Sequence, residues 1–159
     1  MAFRIHIEIN HKFEVNAPFK EVFDWLSDVP SAAVHYPGLD KIVNLGSGLY
    51  RWEMQKVGMG KLAAQIIYTC QYTADFDKGV INWVPATKGE NTIVTGQFLL
   101  SGKPDSTLVE LTIKSELSAP VPKLMKPAVE KIVRFENGKM TVQYINGLID
   151  HFGGGRRLD

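Results

Sequence analysis

The chain is 159 residues long, with 45% hydrophobic and 22% charged residues and 18 Lys and Arg against 17 Asp and Glu. That length suits one domain able to bury its own core, and the near balance of charge argues against the broad basic surface on which a nucleic-acid binder relies. The lone cysteine, Cys70, excludes an intrachain disulfide and a thiolate cluster and fits a reducing, cytoplasmic setting.

The N-terminal run MAFRIHIEINHKF carries charges every few residues, so it reads neither as a signal peptide nor as a membrane span, and no integral membrane association is expected. Ile5, Ile7, Ile9, His11, Phe13 and Val15 alternate with polar residues, the period of a strand with one buried and one wet face. At roughly 3.3 Å per residue it would reach about 40 Å, so it should bend with its sheet. His11 falls on the inner face and is expected as a satisfied core histidine, whereas His6 faces water.

Pro18 is suited to the first helical position, and Phe19, Val22, Phe23 and Leu26 follow at helical spacing. Pro30 is expected to end that helix, and SAAVHY to form a short second one before Pro37 and Gly38. Strands then succeed one another. Gly46-Ser47-Gly48 separates KIVNL from LYRWEMQKV as a tight hairpin. Tyr50, Trp52 and Met54 share the inner parity, as do Ile66, Tyr68, Cys70 and Tyr72 in the next strand. After the turn at Asp77-Lys78-Gly79, Ile81 and Trp83 point inward, then Val94, Gly96, Phe98 and Leu100, then Val109, Leu111, Ile113 and Leu117. Strands joined by short turns, with no helix between the second and the seventh, imply an antiparallel meander.

The C-terminal segment carries two opposed signals. Asn137-Gly138 between apolar residues is a hairpin signal. Against it, Val121, Met125, Ala128, Ile132, Phe135, Gly138, Val142, Ile145, Ile149 and Phe152 recur every three or four residues, which predicts one long helix, kinked near Pro127 and Gly138. His151 stands at its end, where its charge suits the helix dipole, and GGGRRLD reads as a flexible tail over 153–159.

This order is strand, helix pair, six strands and a long closing helix. Carried by FEVNAPFKEVFDWLSDV, HYPGLDKI, GSGLYRWEM and the SAPVPKLMK lead into the final helix, the chain resembles the START-like, or SRPBCC, superfamily of polyketide cyclase/dehydrase and lipid-transport proteins. Within it, the PGL and GSGLYRWEM segments are most similar to the carbon monoxide dehydrogenase G-like members. The resemblance implies an α+β helix-grip fold: a curved seven-stranded antiparallel sheet wrapped around a long C-terminal helix, with two short helices after strand one, in a single domain over 1–152. It also implies a hydrophobic cavity between sheet and helix.

Tyr50, Trp52, Tyr68, Trp83 and Phe98 are the inner-face aromatics expected to line that cavity, with Met125 and Gly138 from the helical segment and with His35 and Tyr36 at its entrance. A buried phenol needs a partner and can orient a ligand. No HxH or HExxH spacing, nucleotide loop or G-x-S-x-G elbow occurs, and GMGK at 58–61 reads as a turn. No metal or cofactor is expected. The inner face carries no Arg, Lys or carboxylate, so a small hydrophobic molecule such as a lipid, quinone or polyketide-like compound is the expected partner. A cyclase or dehydratase acting on such a compound, or an accessory protein for a redox enzyme with a protein partner, are the alternatives that the resemblance leaves open.

Overall fold

The computed structural model describes residues 3–55, 65–86, 92–119 and 122–159. The turn expected at 58–61, the strand ends expected at 56–57 and 62–64, and Val121 of the helical stripe lie outside the described residues.

Alternation makes the strands. β1 (Phe3–Val15) buries Ile5, Ile7, Ile9, Phe13 and Val15, every second residue except His11. It pairs along its whole length with β7 (Thr107–Ala119), from Phe3 opposite Ala119 to Val15 opposite Thr107. In sequence, β2 (Leu39–Gly46), β3 (Leu49–Met54), β4 (Ile67–Asp75), β5 (Val80–Pro85) and β6 (Thr92–Gly102) come between these two neighbours. The sheet is antiparallel throughout, in the order β2-β3-β4-β5-β6-β7-β1-β8. Among the described residues it has eight strands where the alternation predicted seven. The addition comes from the expected tail: Gly153 and Gly154 take positive φ of 86° and 114°, which reverses the chain so that β8 (Gly155–Arg157) pairs with Phe13–Val15. The same reversal brings Asp159 to His11, whose Nδ1 lies 2.5 Å from the carboxylate. His11 is therefore held by the chain end at the sheet margin, not by the core.

α1 (Phe19–Ser27) buries Val22, Phe23 and Leu26, and α2 (Val29–Ala33) buries Val29, Ala32 and Ala33. Pro30 opens α2 and does not close α1. The break falls at Asp28, whose backbone is extended (φ −85°, ψ 99°) and whose carboxylate accepts from the Ser31 hydroxyl.

After a 3₁₀ turn at Lys123–Met125, α3 (Lys126–His151) runs unbroken through Asn137-Gly138. Its two halves do different work. The C-terminal half buries Thr141 and, in the main core with Phe13, Val15, Phe23, Leu26 and Val109, also Tyr144, Ile145, Leu148 and Ile149. The N-terminal half touches the sheet through Val129 and Val133, against Ile5, Ile7 and Ile9. Ile132 and Phe135 of the predicted stripe are 63% and 68% exposed. The physical reason is the period: a stripe spaced near 3.5 drifts about 20° per heptad around a straight helix. Seated at Ile145 and Ile149, the stripe has turned outward by the first turns.

Candidate functional site

Six strands (β1 and β3 to β7), both short helices and α3 meet around one cavity of about 650 Å³, a volume in the range of small-molecule sites. Cross-strand register builds its aromatic wall. Trp52 stands opposite Tyr68, and Tyr72 opposite Trp83, which in turn faces Gly96. The rings touch in sequence: Trp52 stacks on Tyr68 (centroids 5.8 Å, 12°), Tyr72 on Trp83 (5.6 Å, 27°), and Phe98 meets Trp83 edge-on at 5.4 Å. Gly96 gives Trp83 its place, because a Cβ there would lie 2.1 Å from the indole. From the helical side come Tyr36, Val133, Met140 and Tyr144.

Hydrogen bonding sorts the phenols. The Trp52 indole N–H donates to the Tyr72 hydroxyl at 2.8 Å, and the Tyr144 hydroxyl donates to the Ala32 carbonyl at 2.7 Å. Tyr36 is hydrogen-bonded to Thr141. Tyr68 lines the cavity, and among the described residues no side chain or backbone group bonds its hydroxyl, which leaves a polar handle directed at an apolar space. Burial pushes Tyr36 up to about 12, an effect that Thr141 opposes, and burial also raises Tyr68, Tyr72 and Tyr144 well above the ordinary phenol value. These groups remain neutral donors across the physiological range. The mouth is marked by lining residues that are also exposed: Gln55, Ile132 and Glu136.

Of the residues singled out in the sequence, Trp52, Tyr68, Trp83 and Phe98 lie on the cavity wall together with Tyr36. Four stand elsewhere. Tyr50 packs edge-on against Tyr72 at 5.7 Å and is not part of the lining. Met125 sits in the 3₁₀ turn ahead of α3, 39% exposed. Gly138 is not part of the cavity lining, and a Cβ there would meet nothing within 4 Å. His35 is turned away from its neighbour Tyr36 and packs against Trp25 (5.7 Å) and His151 (5.4 Å), which stack on each other at 4.0 Å, over Gly147. Sequence reading missed Val133, Met140 and Tyr144. They recur at seven and four residues, a helical face that Glu136 and Asn137 interrupt and that the longer apolar stripe outweighed.

His35 has a measurable consequence. Its Nε2 is buried and has no hydrogen-bond partner among the described residues, and burial, followed by repulsion from His151, lowers its pKa from the ordinary 6.5 while Asp150 opposes the shift. The folded state then binds fewer protons than the unfolded chain between the lowered value and about 6.5, so stability rises with pH across that window. Denaturation midpoints should fall on acidification below about pH 6.5, and the slope should flatten in His35→Phe. An identical slope in the variant would remove His35 as the cause.

No family model matches the chain, and no curated protein matches its sequence. Solved structures do. The ZhuI aromatase/cyclase from Streptomyces sp. R1128 superposes with a TM-score of 0.67 at 15% identity, over 94% of this chain and 99% of that one. A START superfamily protein from Mycobacterium smegmatis gives 0.61 at 18% identity, over 91% and 97%. The di-domain ARO/CYC BexL from the BE-7585A biosynthetic pathway gives 0.59 at 14%, over 94% of this chain and 51% of that one. With the strand order, the grip on α3 and the cavity between them, these likenesses show that the chain has the START-like helix-grip fold.

Proposed function

We propose that the protein binds a small-to-medium hydrophobic molecule of lipid, quinone or polyketide-like class in this cavity, and carries it without transforming it. The observation that carries the reading is an aromatic cavity of about 650 Å³ whose wall offers one unpartnered phenol, Tyr68, among the described residues. Apolar surface supplies affinity at roughly 25 cal/mol per Å² removed from water, and a single hydrogen bond fixes orientation. Two of the superposing structures are aromatase/cyclases by name. Turnover of that kind needs a group that gains or loses a proton beside the ligand. The described lining has phenols held neutral by burial and a carboxylate, Glu136, only at the mouth.

Mass spectrometry of the freshly purified protein, native and after organic extraction, tests the reading directly. A stoichiometric apolar compound is expected, released chemically unchanged. Titration with Nile red gives the residue test: Tyr68→Phe should fold normally and bind roughly three- to tenfold more weakly, the worth of one hydrogen bond. No co-purifying compound together with no Nile red binding would sink the carrier. Recovery of a converted compound would replace it with an enzyme.

A further inference from the structure

The outer side of the α3 lead-in reaches the ligand site only at Ile132. Leu124 is 94% exposed, Phe135 68%, Ile132 63% and Met125 39%, and the four lie within twelve residues of one another along the 3₁₀ turn and first turns of α3. Apolar side chains gathered in this way mark a docking surface. Lys131 and Lys139, four residues before and after Phe135, share its side of the helix, and Lys123 precedes Leu124. All three lysines are exposed and carry no ion pair among the described residues. Residues 123 to 139 hold five cationic and two acidic side chains, in a chain whose net charge is only +1.

We propose that this face docks on an anionic lipid bilayer, with Leu124, Met125, Ile132 and Phe135 entering the interface and Lys123, Lys131 and Lys139 meeting its headgroups. Charge complementarity selects the bilayer: cations flanking protruding apolar side chains are the pattern of helices that lie in a lipid surface. A second copy of the chain fits less well, since two-fold pairing of this face would bring the same unpaired lysines against each other. The mouth gives the second argument. Ile132 belongs both to the exposed face and to the cavity lining, so docking sets the opening against the lipid and lets an apolar ligand move between them without crossing water. This use of the face rests on the carrier reading; the docking itself is measured independently.

Flotation with phosphatidylcholine vesicles, with and without phosphatidylglycerol, is the experiment. The protein should float with the phosphatidylglycerol vesicles and much less with phosphatidylcholine alone, and added salt should weaken the binding. Leu124→Asp/Phe135→Asp, which removes only exposed side chains, should lose binding at least about tenfold, and so should Lys123→Glu/Lys131→Glu/Lys139→Glu. Absence of vesicle binding, or binding that both variants keep, overturns the proposal. Self-association in sedimentation that the aspartate variant abolishes assigns the face to a second copy instead. Nile red titration without vesicles separates the two readings: retained dye binding with lost flotation removes only the docking, and the reverse removes only the carrier.

Discussion

Gly96→Ala is expected to destabilise the protein by about 1–3 kcal/mol, the usual cost of overpacking a well-filled site, and to weaken Nile red binding by about tenfold or more. A Cβ at this position would stand 2.1 to 2.4 Å from three atoms of the Trp83 indole, far inside contact distance. The indole is a rigid bicycle with little freedom to yield, stacked on Tyr72 and met edge-on by Phe98. Its open direction is the cavity, so the methyl group converts ligand space into side-chain volume. The cause can be isolated by a double-mutant cycle, because Trp83→Leu in the Gly96→Ala background removes the ring the methyl displaces. Chemical denaturation and dye titration read both effects. Unchanged midpoint and affinity in Gly96→Ala would show that the wall yields and that the glycine is incidental.

The second large effect belongs to the other end of the grip. Leu148→Ala should cost about 2–5 kcal/mol, whereas Ile132→Ala should stay within about 0.5 kcal/mol of the parent. Leu148 is fully buried in the main core, so its truncation leaves a cavity between α3 and the sheet. Ile132, an equally apolar residue nearer the start of the same helix, is 63% exposed and has little to lose. Urea midpoints of the two variants make the comparison without any ligand. Equal losses would mean that the N-terminal half of α3 is seated as firmly as the C-terminal half, and the mouth would have to be placed elsewhere.

These two contrasts trace how far the sequence could be read. Alternation in β1, β5, β6 and β7 assigned the inner residues correctly, His11 apart, because side-chain direction in a strand follows parity. Trp83 and Phe98 were therefore legible as members of one wall. Helix won over hairpin at Asn137-Gly138 because a periodic apolar pattern summed over many residues outweighs one turn dipeptide.

Only the tertiary structure decided the phase of that helix, and with it the fate of Met125, Ile132, Phe135 and Gly138. A stripe near 3.5 residues cannot keep one face of a straight helix toward the core, and which of its ends stays buried depends on where the sheet grips it. His35 and Tyr36 make the same point at short range: they are adjacent in sequence, yet one packs on His151 and the other enters the cavity. The eighth strand was hidden for a related reason, since three residues that start on the last glycine of a run carry no period and gain their pairing only from the edge of β1. The sequence by itself thus determined the types of the periodic elements, the antiparallel meander and the inward parity of the strands, because these follow from local periodicity. Tertiary structure decided which apolar residues enclose the cavity, which face solvent and which phenol lacks a partner, because these depend on contacts between elements far apart in the chain.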